Sequence, residues 1–505
     1  MKFWFPGLFC LCFCLSGQNA VIDSVKHSDY STLKALIAEK QDLDAADGNG
    51  MTALHLAALQ NDLKSVHLLL KAKANPSATT DYGITPLWLA CQNGNATIVN
   101  SLLKAGADLQ HSLPGKQTPL MVAARAGNIE IVQALTTKGA DINAKERKGQ
   151  SAIMWAAAEG HAKVVKWLIE AGADFQSPLK SGFTPLFFAI RGGHTDTVIT
   201  LLNAGADVNK AMRPERRASR GPQSGMTPLL MAVENGHFEL AIKLVKAGAN
   251  PNDLGAGYAA LHAITWVRKP DSGEGVNGMP PPDGSGSLTS LEFVSQMLDL
   301  GADVNIRIPR GSGGAGKFSR EGASPFLMAA KTADLDLLKL LFASGANPSL
   351  LNEDEVTPLI VAAGLGTVAA GEVAGTEPEV LETVNWLLDI GQDINAVSSK
   401  GETAMHAAAY KNLPDVIKFL ASRGASIEVW NQPNQHGWTP LLIAEGFRPG
   451  NFKPSFETIE AIHEVMIAAG VTPPPSTQPK GLNNTDYVPA DQKTKGANPW
   501  KKDTQ

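Results

Sequence analysis

Thr85-Pro86-Leu87-Trp88-Leu89-Ala90-Cys91-Gln92-Asn93-Gly94-Asn95-Ala96-Thr97-Ile98-Val99-Asn100-Ser101-Leu102-Leu103-Lys104-Ala105-Gly106-Ala107-Asp108 reads as two short helices with their punctuation. Thr85 carries a side-chain oxygen suited to capping a helix start, and Pro86 fits the first helical turn, where a missing N–H leaves no bond unmade. Leu87 and Ala90 share a face, and alanine is small enough to let a neighbouring helix come close. Gly94 tolerates the left-handed backbone that ends a helix. Ile98-Val99 and Leu102-Leu103 then recur at helical spacing and give the second helix an apolar stripe, which Gly106-Ala107-Asp108 stops. Two helices this short cannot cover their own apolar surface, so the pair needs neighbours built to the same plan.

Those neighbours are present. Thr52-Ala53-Leu54-His55, Thr85, Thr118-Pro119-Leu120-Met121, Ser151-Ala152-Ile153-Met154 and Thr184-Pro185-Leu186-Phe187 start 33 residues apart. The phrase continues at Thr227-Pro228-Leu229, Ala259-Ala260-Leu261-His262, Ser324-Pro325-Phe326, Thr357-Pro358-Leu359, Thr403-Ala404-Met405-His406 and Thr439-Pro440-Leu441, about eleven copies in all. A closing phrase follows most of them, as at Gly139-Ala140-Asp141-Ile142-Asn143, Gly205-Ala206-Asp207-Val208-Asn209 and Gly301-Ala302-Asp303-Val304-Asn305. The two phrases, in phase over roughly residues 48 to 470, resemble the ankyrin repeat, whose period is 33 residues. The resemblance implies an all-α ankyrin-repeat solenoid of about eleven helix-turn-helix repeats with short hairpin loops. It also implies that His55, His262 and His406, in the Thr-Pro-Leu-His slot, bond to backbone of the adjoining hairpin.

A chain of 505 residues exceeds the size of one hydrophobic core, which an array solves by stacking. Residues 1–20 read as an export signal: Lys2, an apolar run from Phe3 to Leu15 too short to span a bilayer, and small residues at Ser16, Gly17 and Ala20. Removal of that segment takes three of the four cysteines and leaves Cys91, expected as a buried small hydrophobe. Residues 21–47 read as a degenerate N-terminal capping repeat, 48–473 as the array, and the Pro-rich, polar 474–505 as a disordered tail. The repeat is interrupted by insertions at 210–224, 266–290, 306–322, 364–379 and 445–454, whose Gly, Pro and Arg content marks long loops.

The net charge of -5 supplies no chain-wide basic field, which argues against nucleic-acid binding. The sequence holds no His-Glu-x-x-His, no Gly-x-x-x-x-Gly-Lys-Ser/Thr and no strand-turn-helix nucleophile motif, and His55, His161, His194, His237, His262 and His406 sit in repeat slots, so no cofactor, metal or catalytic site is expected. What remains is the concave surface that stacked repeats create, where the family contacts its partners. Tyr82, Ile84, Gln92, Arg125, Arg147, Lys148, Lys180, Phe183, Arg191 and Met226 fall at the corresponding positions. Exposed aromatic, Met and Arg side chains favour interface centres, and the arginines and lysines favour an acidic face on the partner. The expected function is a monomeric, non-catalytic protein-binding scaffold or inhibitor, periplasmic or secreted, with no stable membrane insertion once the signal is removed. The alternatives are an exported effector acting on a host or prey protein, and an accessory subunit docking on an envelope enzyme or transporter.

Overall fold

The computed structural model describes residues 19–215, 224–270, 282–311, 318–371, 373–448 and 453–475, and among these it holds 25 helices and no strand. The expected export signal lies outside the described residues except for Asn19 and Ala20, as does the tail beyond Pro475. The chain divides into two units, one of residues 19–207 with 214–215 and one of 208–213 with 224–475.

The first unit is six helix pairs: α1 (Ala20–Lys26) and α2 (Tyr30–Ala38), α3 (Ala53–Leu59) and α4 (Leu63–Lys71), α5 (Pro86–Asn93) and α6 (Ala96–Lys104), α7 (Pro119–Arg125) and α8 (Ile129–Thr137), α9 (Ala152–Ala158) and α10 (Ala162–Glu170), α11 (Pro185–Arg191) and α12 (Thr195–Asn203). First helices pack on first helices of the next pair, and second on second. Leu87, Ala90 and Cys91 from α5 and Ile98, Val99 and Leu102 from α6 are fully buried, and every later pair repeats the pattern. Helix starts follow the capping logic: Thr85 Oγ1 accepts from Trp88 N at 3.1 Å and Thr118 Oγ1 from Met121 N at 3.3 Å. Ser151 and Thr184 depart from it, making no cap hydrogen bond. Gly94 has φ +73°, the left-handed value that its slot requires. At Gly127 a second reason applies, because a Cβ would lie 2.5 Å from the His161 ring that covers it.

The second unit contains α13 (Pro228–Glu234), α14 (Phe238–Lys246), α15 (Ala260–Arg268), α16 (Ser290–Asp299), α17 (Pro325–Lys331), α18 (Leu335–Ala343), α19 (Pro358–Ala362), α20 (Glu377–Asp389), α21 (Ala404–Lys411), α22 (Pro414–Ser422), α23 (Ile427–Trp430), α24 (Pro440–Ala444) and α25 (Phe456–Ala468). Three insertions separate the first from the second helix of a pair, between α15 and α16, α19 and α20, and α24 and α25. Buried cations tie these loops to their neighbours: Lys411 Nζ donates to Ala374 O at 2.5 Å, and Arg448 donates to the carbonyls of Ala409 and Tyr410 near the end of α21. The carbonyls that Arg448 meets lie at a helix C-terminus, where unsatisfied groups favour a cation.

Two polar devices recur in both units. In the first, the histidine slot fastens one repeat to the next hairpin: His55 Nε2 meets Ile84 O at 2.9 Å, His262 Nε2 meets Ala323 O at 3.1 Å and His406 Nε2 meets Gln432 O at 3.1 Å. His55 Nδ1 meanwhile accepts from Thr52 N at 3.2 Å, so the ring is used at both ends in its neutral form. Burial holds His262 and His406 down to about 4. In the second, the side-chain amide that closes several of the repeats bridges the turns. Asn143 Nδ2 donates to Gly172 O at 3.2 Å while its Oδ1 accepts from Asp174 N at 2.8 Å. Asn252 does the same with Gly301 O and Asp303 N, and Asn305 with Gly345 O and Asn347 N. The terminal Asn of the Gly-Ala-Asp-x-Asn phrase is therefore a strut between repeats.

Candidate protein-binding surface

In the first unit, α5, α7 and α9 line up so that one edge of each faces outward beside the hairpins. Between them lies a cleft of about 530 Å³ lined by Trp88, Gln92, Gln117, Val122, Arg125, Ala126, Trp155 and Glu159. A smaller depression of about 170 Å³ adjoins it, lined by Arg125, Gln150, Met154, Trp155, Ala158 and Glu159. Arg125 stands over the Trp155 ring, 5.6 Å from its centroid, and meets Glu159 Oε1 through Nε at 3.3 Å. Aromatic rings attract guanidinium through their negative faces, so Trp155 orients Arg125 without cancelling its charge. Both partners of the ion pair are well exposed, which leaves the pair worth less than about 1 kcal/mol.

Of the residues expected at the binding face, Gln92 and Arg125 line this cleft. Arg191 sits on α11 over the rings of Phe183 and Phe188, at 5.1 and 5.4 Å. Arg147 and Lys148 are exposed on a hairpin ordered by the buried Glu146, whose Oε1 accepts from Lys148 N at 2.8 Å and Gln150 N at 3.0 Å. Lys180 is exposed 3.9 Å from Glu215, and Tyr82 is exposed on its hairpin. Ile84 is half-buried and serves through its carbonyl, which receives His55.

Two expectations are corrected. Phe183 is only 7% exposed, because its ring packs against Phe187 and Phe188 beneath Arg191. Met226 is 4% exposed in the second unit, where its carbonyl accepts from Met212 N. Neither presents its side chain to a partner. Reading the sequence also missed Trp88 and Trp155, which lie inside the repeated phrase and were absorbed into it. The usable signal is size: at the slots of Trp88 and Trp155 other copies carry His55, Met121 or Val122, smaller side chains.

The second unit has aromatic and charged clusters of its own. Tyr258 donates to Glu234 and packs edge-on against Trp266, with Arg320 over the Trp266 ring at 5.4 Å. Burial pushes the Glu234 carboxyl up. Arg268 grips Asp334 through Nε at 2.7 Å and a terminal nitrogen at 3.0 Å, and Lys269 reaches Glu379 at 2.6 Å. Glu402, buried under the hairpin before α21, accepts from Tyr410 Oη at 3.2 Å and Asn434 Nδ2 at 2.9 Å, and burial pushes its carboxyl up to about 7. Burial likewise pushes the Lys411 amine down to about 7 and the Cys91 thiol upward. Each of these groups is engaged within the fold, and no group of three or more acidic, His or Cys side chains fit to hold a metal occurs among the described residues. Among them, too, no helix is long and apolar enough to cross a membrane.

Comparison with known proteins agrees with this geometry. A family model described as ankyrin repeats (three copies) matches residues 19–112, 73–146, 99–178, 120–212, 179–254 and 373–451, more than half of the chain. The chain is 34% identical over 134 residues to alpha-latrocrustotoxin-Lt1a of Latrodectus tredecimguttatus, covering 25% of this chain and 9% of that protein. It is 34% identical over 135 residues to ankyrin repeat, SAM and basic leucine zipper domain-containing protein 1 of Dasypus novemcinctus, covering 27% and 24% respectively. The likeness thus spans less than a quarter of either relative's length.

Proposed function

We propose, given that this chain belongs to the ankyrin-repeat family, that it is a non-catalytic scaffold or inhibitor which captures a protein partner on the inner face of its first unit, outside the cytoplasm. The fold itself points to protein–protein interaction. The observation that carries the finer reading is the Trp88–Arg125–Trp155 cleft, where half-buried indoles and an exposed guanidinium share one concavity. Trp and Arg at the centre of a concave patch dominate protein interfaces, whereas an active site needs a deep pocket with converging titratable groups. The basic residues Arg147, Lys148 and Arg191 on the same unit favour a partner with an acidic face. The apolar run of Phe3 to Leu15 behind Lys2 supports export to the periplasm or the medium.

Reversing Arg147 and Arg191 together to Glu is expected to weaken recovery of the native partner in a pull-down from the source cell's own envelope or secreted fraction. Undiminished recovery with the doubly reversed protein overturns the basic contact.

A further inference from the structure

We infer that the inner face of the first unit takes an extended acidic segment with two carboxylates six residues apart and an apolar side chain between them. This rests on the reading of that face as the partner-binding surface, and it names the partner's chemistry. One slot per repeat gives the row Gln92, Arg125, Ala158, Arg191, each 33 residues from the next. Both arginines lie over aromatic rings: Arg125 reaches forward to Trp155 of the next repeat, and Arg191 lies over Phe183 and Phe188 of its own. Between them Ala158 has no long side chain, and the depression it shares with Met154 and Trp155 opens there.

The spacing follows from the stacking. Helix α7 packs on α9 and α9 on α11. Packed helices lie about 8–10 Å apart, so the two arginine slots are separated by roughly 16–20 Å. An extended chain advances about 3.3 Å per residue and turns alternate side chains to one face. Positions i and i+6 therefore present two carboxylates on the same face about 20 Å apart, with i+2 or i+4 over the depression. Glu159 does not block the first site, because an exposed ion pair yields readily to a competing carboxylate that brings further contacts. Bidentate guanidinium–carboxylate pairing then fixes the register.

The test is selection of random twelve-residue peptides displayed on phage against the full chain, followed by titration of the best synthetic peptide. Enriched sequences are expected to carry Asp or Glu at i and i+6 with an apolar residue at i+2 or i+4. Arg125→Glu and Arg191→Glu should each weaken the peptide at least tenfold with unchanged circular dichroism, while Lys166→Glu on α10 leaves it unaltered. Enrichment of sequences lacking the spaced acidic pair, equal binding by the reversed variants, or no enrichment at all overturns the inference. Cross-linking of the native partner from the inner face in any of those cases would leave the wider reading standing, which separates the two failures.

Discussion

Replacing Glu402 with glutamine should stabilise the second unit at neutral pH and do almost nothing in mild acid. The Glu402 side chain is 2% exposed, one of its oxygens accepts from Tyr410 and Asn434, and the other has no hydrogen-bond partner. Burial raises its carboxyl from 4.5 to about 7. Below pH 4.5 both folded and unfolded chains are protonated there, so the group is neutral to stability. Between 4.5 and 7 the folded chain keeps a proton that the unfolded chain has released, and stability falls by about 1.4 kcal/mol per pH unit. Across that window the loss reaches about 3 kcal/mol, fully developed above about pH 7. Glutamine keeps the accepting oxygen and carries no proton to lose, so the difference between variant and wild type should grow by about 3 kcal/mol from roughly pH 4.5 to 7.5. His262 and His406, held down to about 4, act in the opposite sense, losing stability as pH falls through 6.5, but they contribute equally to both proteins and cancel in the difference. The assay is urea denaturation at a series of pH values followed by tryptophan fluorescence, with Trp430 and Trp438 as near reporters. A pH-independent difference between the Glu402→Gln variant and wild type would refute the buried-acid argument.

Other perturbations probe the remaining devices. Asn143→Ala removes a donor to Gly172 O and an acceptor for Asp174 N, and should cost about 1–3 kcal/mol in denaturant titrations of the first unit, at roughly 0.5–1.5 kcal/mol per hydrogen bond. Asp334→Ala strips Arg268 of its two-pronged partner in a largely buried setting and should cost about 3–5 kcal/mol by the same method. Cys91, fully buried with its thiol pushed upward, should stay unmodified by a thiol reagent in the native protein and react at once in denaturant; modification of the native chain at the denatured rate would contradict its burial.

Most of the architecture was legible because repetition multiplies a weak local signal. One Thr-Pro-Leu phrase is a helix start; about eleven of them, most followed by a Gly-Ala-Asp-like ending, name a repeat, and helices appear at each of them. The histidine slot was legible for the same reason, and His55, His262 and His406 all make the expected inter-repeat bond. The surface was harder to read, because position within a repeat does not fix exposure. Phe183 and Met226 hold a hairpin position that is half-buried at Ile84, Gln117 and Gln150, yet the rings of Phe187 and Phe188 close off Phe183, and Met226 is buried within the second unit. Trp88 and Trp155 lay inside the core-forming phrase, and only stacking against α7 shows that their rings border a cleft. Asn434 joins Glu402 and Tyr410 from the next hairpin, and Lys411 and Arg448 make contacts 37 to 39 positions apart through inserted loops, pairings that no local pattern specifies.

The central claim, that the inner face of the repeats is the working surface, is tested most directly by photo-cross-linking in the source cell. A photoreactive phenylalanine analogue placed at Gln92 or Gln117 should capture one discrete partner band, and the same analogue at Lys166 or Thr200 on the second helices of their pairs should capture none. Capture from Lys166 or Thr200 with none from Gln92 or Gln117 would contradict the account.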